Sequence, residues 1–422
     1  MKRILLAVGA ILLVVAAIVA LVGYLKLRQP PDVRGSSTAE FVPTTTAAVP
    51  KPPEPGISWP TYGFSSNRLR VGPGRERPPF RRVWLFRARQ LLEFPPAIGY
   101  GRLFFANANG TAFAISAKTG KLAWKRETHR CQASSPALDR HTVFFTFLRI
   151  CRGAAGHSDG LLVAYAVGTG KVRWQRTLGQ TESSPLVYRG RVYVGDWSGA
   201  VFALDARTGR TEWTFHSNGQ VKSAVAVSGN RLFVGSYDHF VYALDLTTGK
   251  LVWKTEAQDR GFRNRGTFYS GPAVAYGRVY IGSTDGKVYS FGAASGKVRW
   301  VTETGGYVYS SPAVWEQRVY AGSYSGFLYC FDAATGAVKW RFQANGKISG
   351  SPTIVDGVVY FATLAGRTYG LDARSGRQLW TFPDGEYTPV VSDADHLYLV
   401  GRARVYALTS TITAKARSGR RK

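Results

Sequence analysis

The sequence predicts an all-β protein: an eight-bladed β-propeller of four-stranded antiparallel blades, preceded by a single transmembrane helix and a Pro/Thr-rich linker. Three observations carry this prediction. A ten-residue stretch ending in tryptophan recurs at nearly constant spacing, each repeat contains four short alternating apolar runs, and the two ends of the repeat array are complementary fragments. The implied division is an N-terminal membrane anchor at 1–28, a linker at 29–58, the propeller at 59–410 and a basic tail at 411–422.

The anchor is read from residues 4–25, an uncharged apolar run long enough to cross a hydrocarbon core. A cleaved secretory signal is the competing reading, but such signals have shorter apolar regions and a small-x-small cleavage site, and none is evident. Lys2 and Arg3 precede the run and Lys26 and Arg28 follow it, so flanking charge does not orient it. Residues 29–58, with "VPTTTAAVPKPPEPG" at their centre, have the composition of an extended spacer. Its reach is at most about 90 Å at about 3.1 Å per residue. Together these segments place the propeller on the extracytoplasmic side of a cytoplasmic membrane.

The repeat begins with Trp84 and continues with Trp124, Trp174, Trp213, Trp253, Trp300, Trp340 and Trp380. From Trp124 onward the steps are 50, 39, 40, 47, 40 and 40 residues, which makes about 40 the unit and marks two insertions. Within a unit such as residues 310–340, alternation of apolar and polar residues, β-branched and aromatic enrichment and Gly-bearing turns indicate four strands. Four-stranded units of this length are propeller blades. Only the strand holding Trp84 precedes the first full unit, and only three strands follow Trp380; joining them completes an eighth blade and removes the exposed edges.

Each tryptophan closes a turn such as "LDARTGRTEW", in which Asp205 accepts backbone N–H bonds, Thr208 assists and Gly209 takes positive φ. The eight tryptophans are therefore expected to dock blade on blade rather than to bind a ligand. Ala203, Asp205, Thr208, Gly209 and Trp213 match A-x-D-x-x-T-G-x-x-x-W, and the chain resembles the pyrroloquinoline-quinone (PQQ) propeller repeat family, over residues 59 to about 410. Ser116, Ala166 and Gly292 stand where that motif has Asp, and Cys330 and Gly370 where it has Ala. The resemblance is nearest in kind to the non-catalytic propeller lipoprotein of outer-membrane assembly, although no lipobox cysteine is present.

The dehydrogenases of this superfamily hold PQQ and Ca²⁺ at the propeller mouth with a carboxylate, an amide, an Asp base and usually a Cys-Cys disulfide. This sequence has no adjacent cysteines, and Asp205, Asp245, Asp332 and Asp372 are assigned to turns. No cofactor, metal site or catalytic residue is therefore expected. Cys131 and Cys151 fall in loops at one end of the propeller and are expected to form a disulfide in an oxidising compartment. A zinc site with His129 and His157, or free thiols, are the alternatives, and Cys330 reads as buried filler.

Formal net charge is +29, a field that attracts polyanions or anionic membrane surfaces. The basic residues are scattered and no nucleic-acid-binding module appears, which argues against nucleic acid. An envelope protein or anionic polymer is the expected partner of a monomeric propeller. The mouth is read from two sets of positions: turns carrying Trp197, Tyr237 and Tyr324 beside Ala108, Thr284 and Leu364, and strand-entry segments carrying Glu182, Lys222, Tyr269, Tyr309, Lys347 and Tyr387. Aromatic and basic side chains there suit capture of a peptide or polyanion. The expected function is a membrane-anchored, extracytoplasmic, non-catalytic binding or scaffold domain; a PQQ-dependent dehydrogenase and an extracellular ligand sensor are the alternatives.

Overall fold

The computed structural model describes residues 9, 11–21, 39–43, 55–149, 151, 159–258, 266–388 and 390–412. Their strands form eight sheets. Blade 3 is representative, with Leu186–Tyr188, Arg191–Gly195, Ala200–Asp205 and Thr211–His216 following one another outward from the axis. The two middle strands are buried along nearly their whole length because sheets cover both faces, whereas the outer strand is mostly exposed and buries Trp213. The eighth sheet joins Val390–Ser392, Leu397–Val400 and Arg404–Ser410 to Phe80–Arg87. This N-terminal strand pairs antiparallel with Arg404–Ser410, from Phe80 opposite Ser410 to Arg87 opposite Arg404. The two complementary fragments thus close the ring.

The tryptophans dock by one rule at seven seams. The indole Nε1 of Trp84, Trp124, Trp174, Trp213, Trp253, Trp300 and Trp340 donates to the carbonyl of Ala117, Val167, Ala206, Leu246, Ala293, Ala333 and Ala373, each in the next blade. The ring lies flat on the turn glycine of that next blade: Gly120, Gly170, Gly209, Gly249, Gly296, Gly336 and Gly376, all at φ between 65° and 74°. A Cβ on any of these glycines would sit 2.6–2.7 Å from the indole. Glycine is required twice over, for the left-handed backbone and for the stacked ring. Trp380 differs, because in blade 8 the third and fourth strands come from opposite ends of the chain and no such turn joins them. It packs edge-on against Phe80, with centroids 5.1 Å apart.

The turn carboxylates behave as their positions imply. Asp205 accepts from the Thr208 N–H at 2.7 Å, and Asp245, Asp332 and Asp372 make equivalent bonds. Where Ser116 replaces Asp, its hydroxyl accepts from the Thr119 N–H at 3.2 Å.

Residues 57–72 thread the axial channel and hydrogen-bond to seven blades in order. Ile57–Trp59 adds a strand to blade 1, the Pro60 carbonyl accepts from Leu138 of blade 2, and the Thr61 hydroxyl donates to Pro185 of blade 3. Carbonyls of Ser66, Asn67 and Leu69 accept from Val227, Val274 and Val314 of blades 4 to 6. Val71–Gly72 then runs parallel to Thr353–Val355 of blade 7. Arg68, fully buried, ties this thread down by donating to the carbonyls of Tyr62, Ser184 and Val225. Its charge is accommodated because every donor meets a carbonyl or the Thr61 hydroxyl.

Outside the ring, residues 11–21 are helical, and among the described residues no helix is long and apolar enough to cross a membrane. The span expected at 4–25 extends past the described helix on both sides. Most of the linker, His157 and residues 413–422 of the tail also lie outside the described residues. Within the linker range, residues 39–43 rest on blade 5, where the Val42 N–H donates to the Tyr276 carbonyl at 3.1 Å. Cys131 and Cys151 are bonded, with Cα atoms 4.9 Å apart, and Cys330 is a buried free thiol.

Candidate functional site: the axial funnel

The channel opens at one end into a funnel of about 270 Å³ whose floor is Tyr62 of the axial thread. Its walls are the segments that enter the inner strands. The residue four positions before each inner strand is Glu93, Ala133, Glu182, Lys222, Tyr269, Tyr309, Ser349 and Glu386 in blades 1 to 8. Glu93, Glu182, Lys222, Tyr269, Tyr309 and Ser349 line the funnel, as do Tyr387 and Tyr324. Repetition of the blade is what makes one sequence offset converge on one axis.

One side of the funnel is aromatic. Tyr269 meets Tyr309 edge-on at 5.4 Å, and Tyr309 meets Tyr324 at 5.0 Å. Tyr307, half exposed, packs on both Tyr309 and Tyr324 at the rim. The Tyr62 hydroxyl is shared with Ser351 at 2.7 Å, and the Arg70 guanidinium lies 4.1 Å from the Tyr62 ring. Such rings present contact area with little rotamer entropy to lose.

The other side is acidic, which is unexpected for so basic a chain. Burial, followed by the charges of Glu182 and Glu386, raises the Glu93 carboxyl to about 7. Burial also pushes Glu182 up, against the pull of Lys222, whose Nζ lies 3.6 Å from Glu182 Oε2. Burial and neighbouring carboxylates raise the Tyr269 and Tyr387 hydroxyls, so both remain neutral donors. Lys222 sits 3.9 Å from the Trp197 ring and 5.1 Å from the Tyr237 ring. Those two aromatics hold the lysine rather than line the funnel.

Of the residues expected at the mouth, Glu182, Lys222, Tyr269, Tyr309, Tyr324 and Tyr387 come together, while Trp197 and Tyr237 stand behind Lys222. Lys347 lies outside the lining: it is exposed, with its Nζ 5.5 Å from the Tyr324 ring, and Ser349 takes the wall position of blade 7. Lys347 stands two residues too early for the wall register. Glu93, Phe94 and Tyr62 were missed. Glu93 follows the same four-residue offset, but blade 1 is entered from the Trp84 strand of blade 8, which hides the correspondence. Tyr62 belongs to no repeat.

Among the described residues the lining contains hydroxyls, carboxylates, one lysine and aromatic faces, without His, Cys or Asp. It can accept hydrogen bonds from, and neutralise, a cationic group while stacking on an apolar or aromatic one.

Comparisons with known proteins accord with this architecture. The chain is 28% identical over 142 residues to tetrathionate hydrolase of Acidithiobacillus ferrooxidans, covering 29% of this chain and 28% of that protein. It is 30% identical over 125 residues to outer membrane protein assembly factor BamB of Burkholderia pseudomallei, covering 29% of each. The chain thus spans little more than a quarter of the length of the curated relatives it matches. The crystal structure of BamB from Moraxella catarrhalis superposes with TM-score 0.65 at 19% identity, covering 78% of this chain and 99% of that one, a likeness of fold. The family model described as "Outer membrane protein assembly factor BamB" matches residues 81–187, 158–303, 241–326 and 308–420, nearly the whole ring, and the chain therefore belongs to that family of PQQ-like propellers.

Proposed function

We propose that this chain is a non-catalytic binding propeller of the cell envelope, held on the extracytoplasmic side of the cytoplasmic membrane by its N-terminal apolar segment, whose funnel captures a basic segment of a partner protein. The observation that carries the reading is the convergence of Glu93 and Glu182 with Tyr269, Tyr309, Tyr324 and Tyr387 above Tyr62. A lysine or arginine entering the funnel would meet carboxylates already desolvated, and its stem would lie on tyrosine faces. An anionic polymer suits this wall poorly; the net charge of +29 would act on polyanions elsewhere on the surface. Membership of the BamB family supports a scaffold role among envelope proteins.

PQQ does not fit the funnel. A quinone bearing three carboxylates would face Glu93 and Glu182, with Lys222 already committed to Glu182. The lining lacks an amide side chain and an aspartate base, and among the described residues no cluster of His, Cys, Asp or Glu suits a metal ion. The Glu93 carboxyl near neutrality, with Glu182 close enough to act on it, is what favours an enzymatic reading; against it, Glu182 is paired with Lys222 at 3.6 Å.

The test is a photo-crosslinker at Tyr324 in the full chain within membranes, with Val338 on an outer strand as control. The expected result is a discrete adduct from position 324 that disappears in the Glu93→Gln/Glu182→Gln variant. Adducts common to both positions, or indifferent to the glutamates, would refute funnel capture. Quinone absorbance and dye reduction by the purified chain given PQQ and Ca²⁺ would overturn the non-catalytic assignment.

A further inference from the structure

Blade 5 departs from the turn motif: Gly292 occupies the place where Asp205, Asp245, Asp332 and Asp372 cap the turns of other blades. The missing carboxylate is supplied from outside the repeat. Glu40 projects Oε2 into the space that a Cβ at Gly292 would fill. There it accepts from the Ser295 hydroxyl at 2.8 Å and from Arg299 Nε at 2.9 Å. Burial opposes its ionisation, yet the bonds from Arg299 and Ser295 outweigh it and hold the carboxyl below its usual range.

The residues around Glu40 are bound as closely. Arg278, fully buried, donates to the Ala39 carbonyl at 2.6 Å and to the Glu40 carbonyl at 3.3 Å. Phe41 is 9% exposed and packs on Tyr276 at 5.4 Å. A Cβ on Gly277 would come within 2.5 Å of the Glu40 carbonyl oxygen, so this glycine also clears the path. Two glycines, two arginines and a carboxylate-shaped vacancy, spread over two neighbouring turns, form a socket matched to an acidic residue followed by an aromatic one.

We propose that this socket on blade 5 is a peptide-docking site for the Ala-Glu-Phe-Val segment at residues 39–42, and that its occupancy leashes the linker to the propeller. The socket is built from the turn joining the first strand to the second and the turn joining the third to the fourth, so it lies at the end of the ring opposite the funnel. Resting on the membrane-tethered reading, docking shortens the part of the linker that can separate anchor from propeller to about ten residues, a reach of at most about 30 Å in place of about 90 Å, and turns the funnel away from the bilayer.

The experiment uses the full purified chain and chymotrypsin, following the Phe41–Val42 bond by mass spectrometry. In wild type this bond is protected. In Gly292→Asp, which supplies the turn carboxylate from within blade 5 and excludes Glu40, and in Glu40→Gln, cleavage is expected about tenfold faster or more, as for a released segment. Equal cleavage in wild type and both variants overturns the proposal. The second readout is a fluorescein-labelled peptide STAEFVPT. It is expected to bind the Glu40→Gln/Phe41→Ala full chain at about 0.1 mM or tighter and to bind the same chain carrying Gly292→Asp at least about tenfold more weakly. Equal binding to the two, or no binding up to about 1 mM, overturns it. Neither readout needs a membrane or a funnel ligand, so failure here is distinct from failure of the tether or of funnel capture.

Discussion

Gly336→Ala is the sharpest test of how the ring is held together. Gly336 sits at φ 73°, and a Cβ there would lie 2.6 Å from the Trp300 ring and 2.9 Å from the Thr302 hydroxyl. Two costs add: about 1–2 kcal/mol for left-handed backbone in alanine, and about 1–3 kcal/mol for forcing a fully buried indole out of its packed site. The expected loss is roughly 2–5 kcal/mol. Gly101→Ala is the control, since Gly101 has φ 69° but nothing within 4 Å of its Cβ position. That variant should lose only the backbone share. Stability is read from urea unfolding, comparing midpoints at constant slope. In a Trp300→Ala background the cost of Gly336→Ala should fall towards that of Gly101→Ala, because the ring it strikes is gone and only the Thr302 hydroxyl contact at 2.9 Å remains. If Gly336→Ala costs no more than Gly101→Ala in the wild-type chain, the docking rule is wrong.

Three further outcomes are expected. The folded chain holds the Glu93 proton up to about pH 7 against an ordinary value of 4.5. That preference stabilises the fold fully below the ordinary value and is lost as pH rises through the raised one. Glu93→Gln should therefore gain stability relative to wild type across that window, and a constant difference between their urea midpoints would contradict it. Breaking the Cys131–Cys151 bond, which closes a separation of 20 residues, should cost about 3 kcal/mol, seen as a lower unfolding midpoint in Cys151→Ser and as a mass shift on reduction and alkylation of wild type. Arg68→Met should destabilise by about 3 kcal/mol or more, since carbonyls of Ser184 and Val225 lose a charged donor. It should also speed hydrogen exchange at Val227 and Val274, which the thread covers.

The ring was legible because its signals are local and repeated. Alternation gives the strands, the Asp and Gly turns give their ends, and the tryptophan spacing counts the blades. The reach of each Trp to the next blade's glycine is a contact between repeats, and no single repeat contains it. Trp380 looks like its seven counterparts in sequence and lacks their platform only because Phe80 arrives from the far end of the chain. In the funnel, Tyr269 and Tyr309 were found because aromatic side chains draw attention in entry segments. Glu93 was not, since its blade has no preceding repeat to align it with. Glu40 lies in a low-complexity stretch, and its meaning depends on a side chain missing from Gly292, some 250 residues away.

Order of synthesis runs against order of assembly in this ring. Residues 57–72 leave the ribosome before any blade exists, yet their hydrogen bonds are to seven blades not yet made. The strand Phe80–Arg87 waits for Arg404–Ser410, the last strand of the ring to be made. Native pairing of such distant partners is slow, and until it is complete both blade edges stay open to foreign strands. A ribosome-stalled or 3′-truncated product therefore retains an unsatisfied edge however many blades it has built, which makes it a natural client for chaperones and proteases.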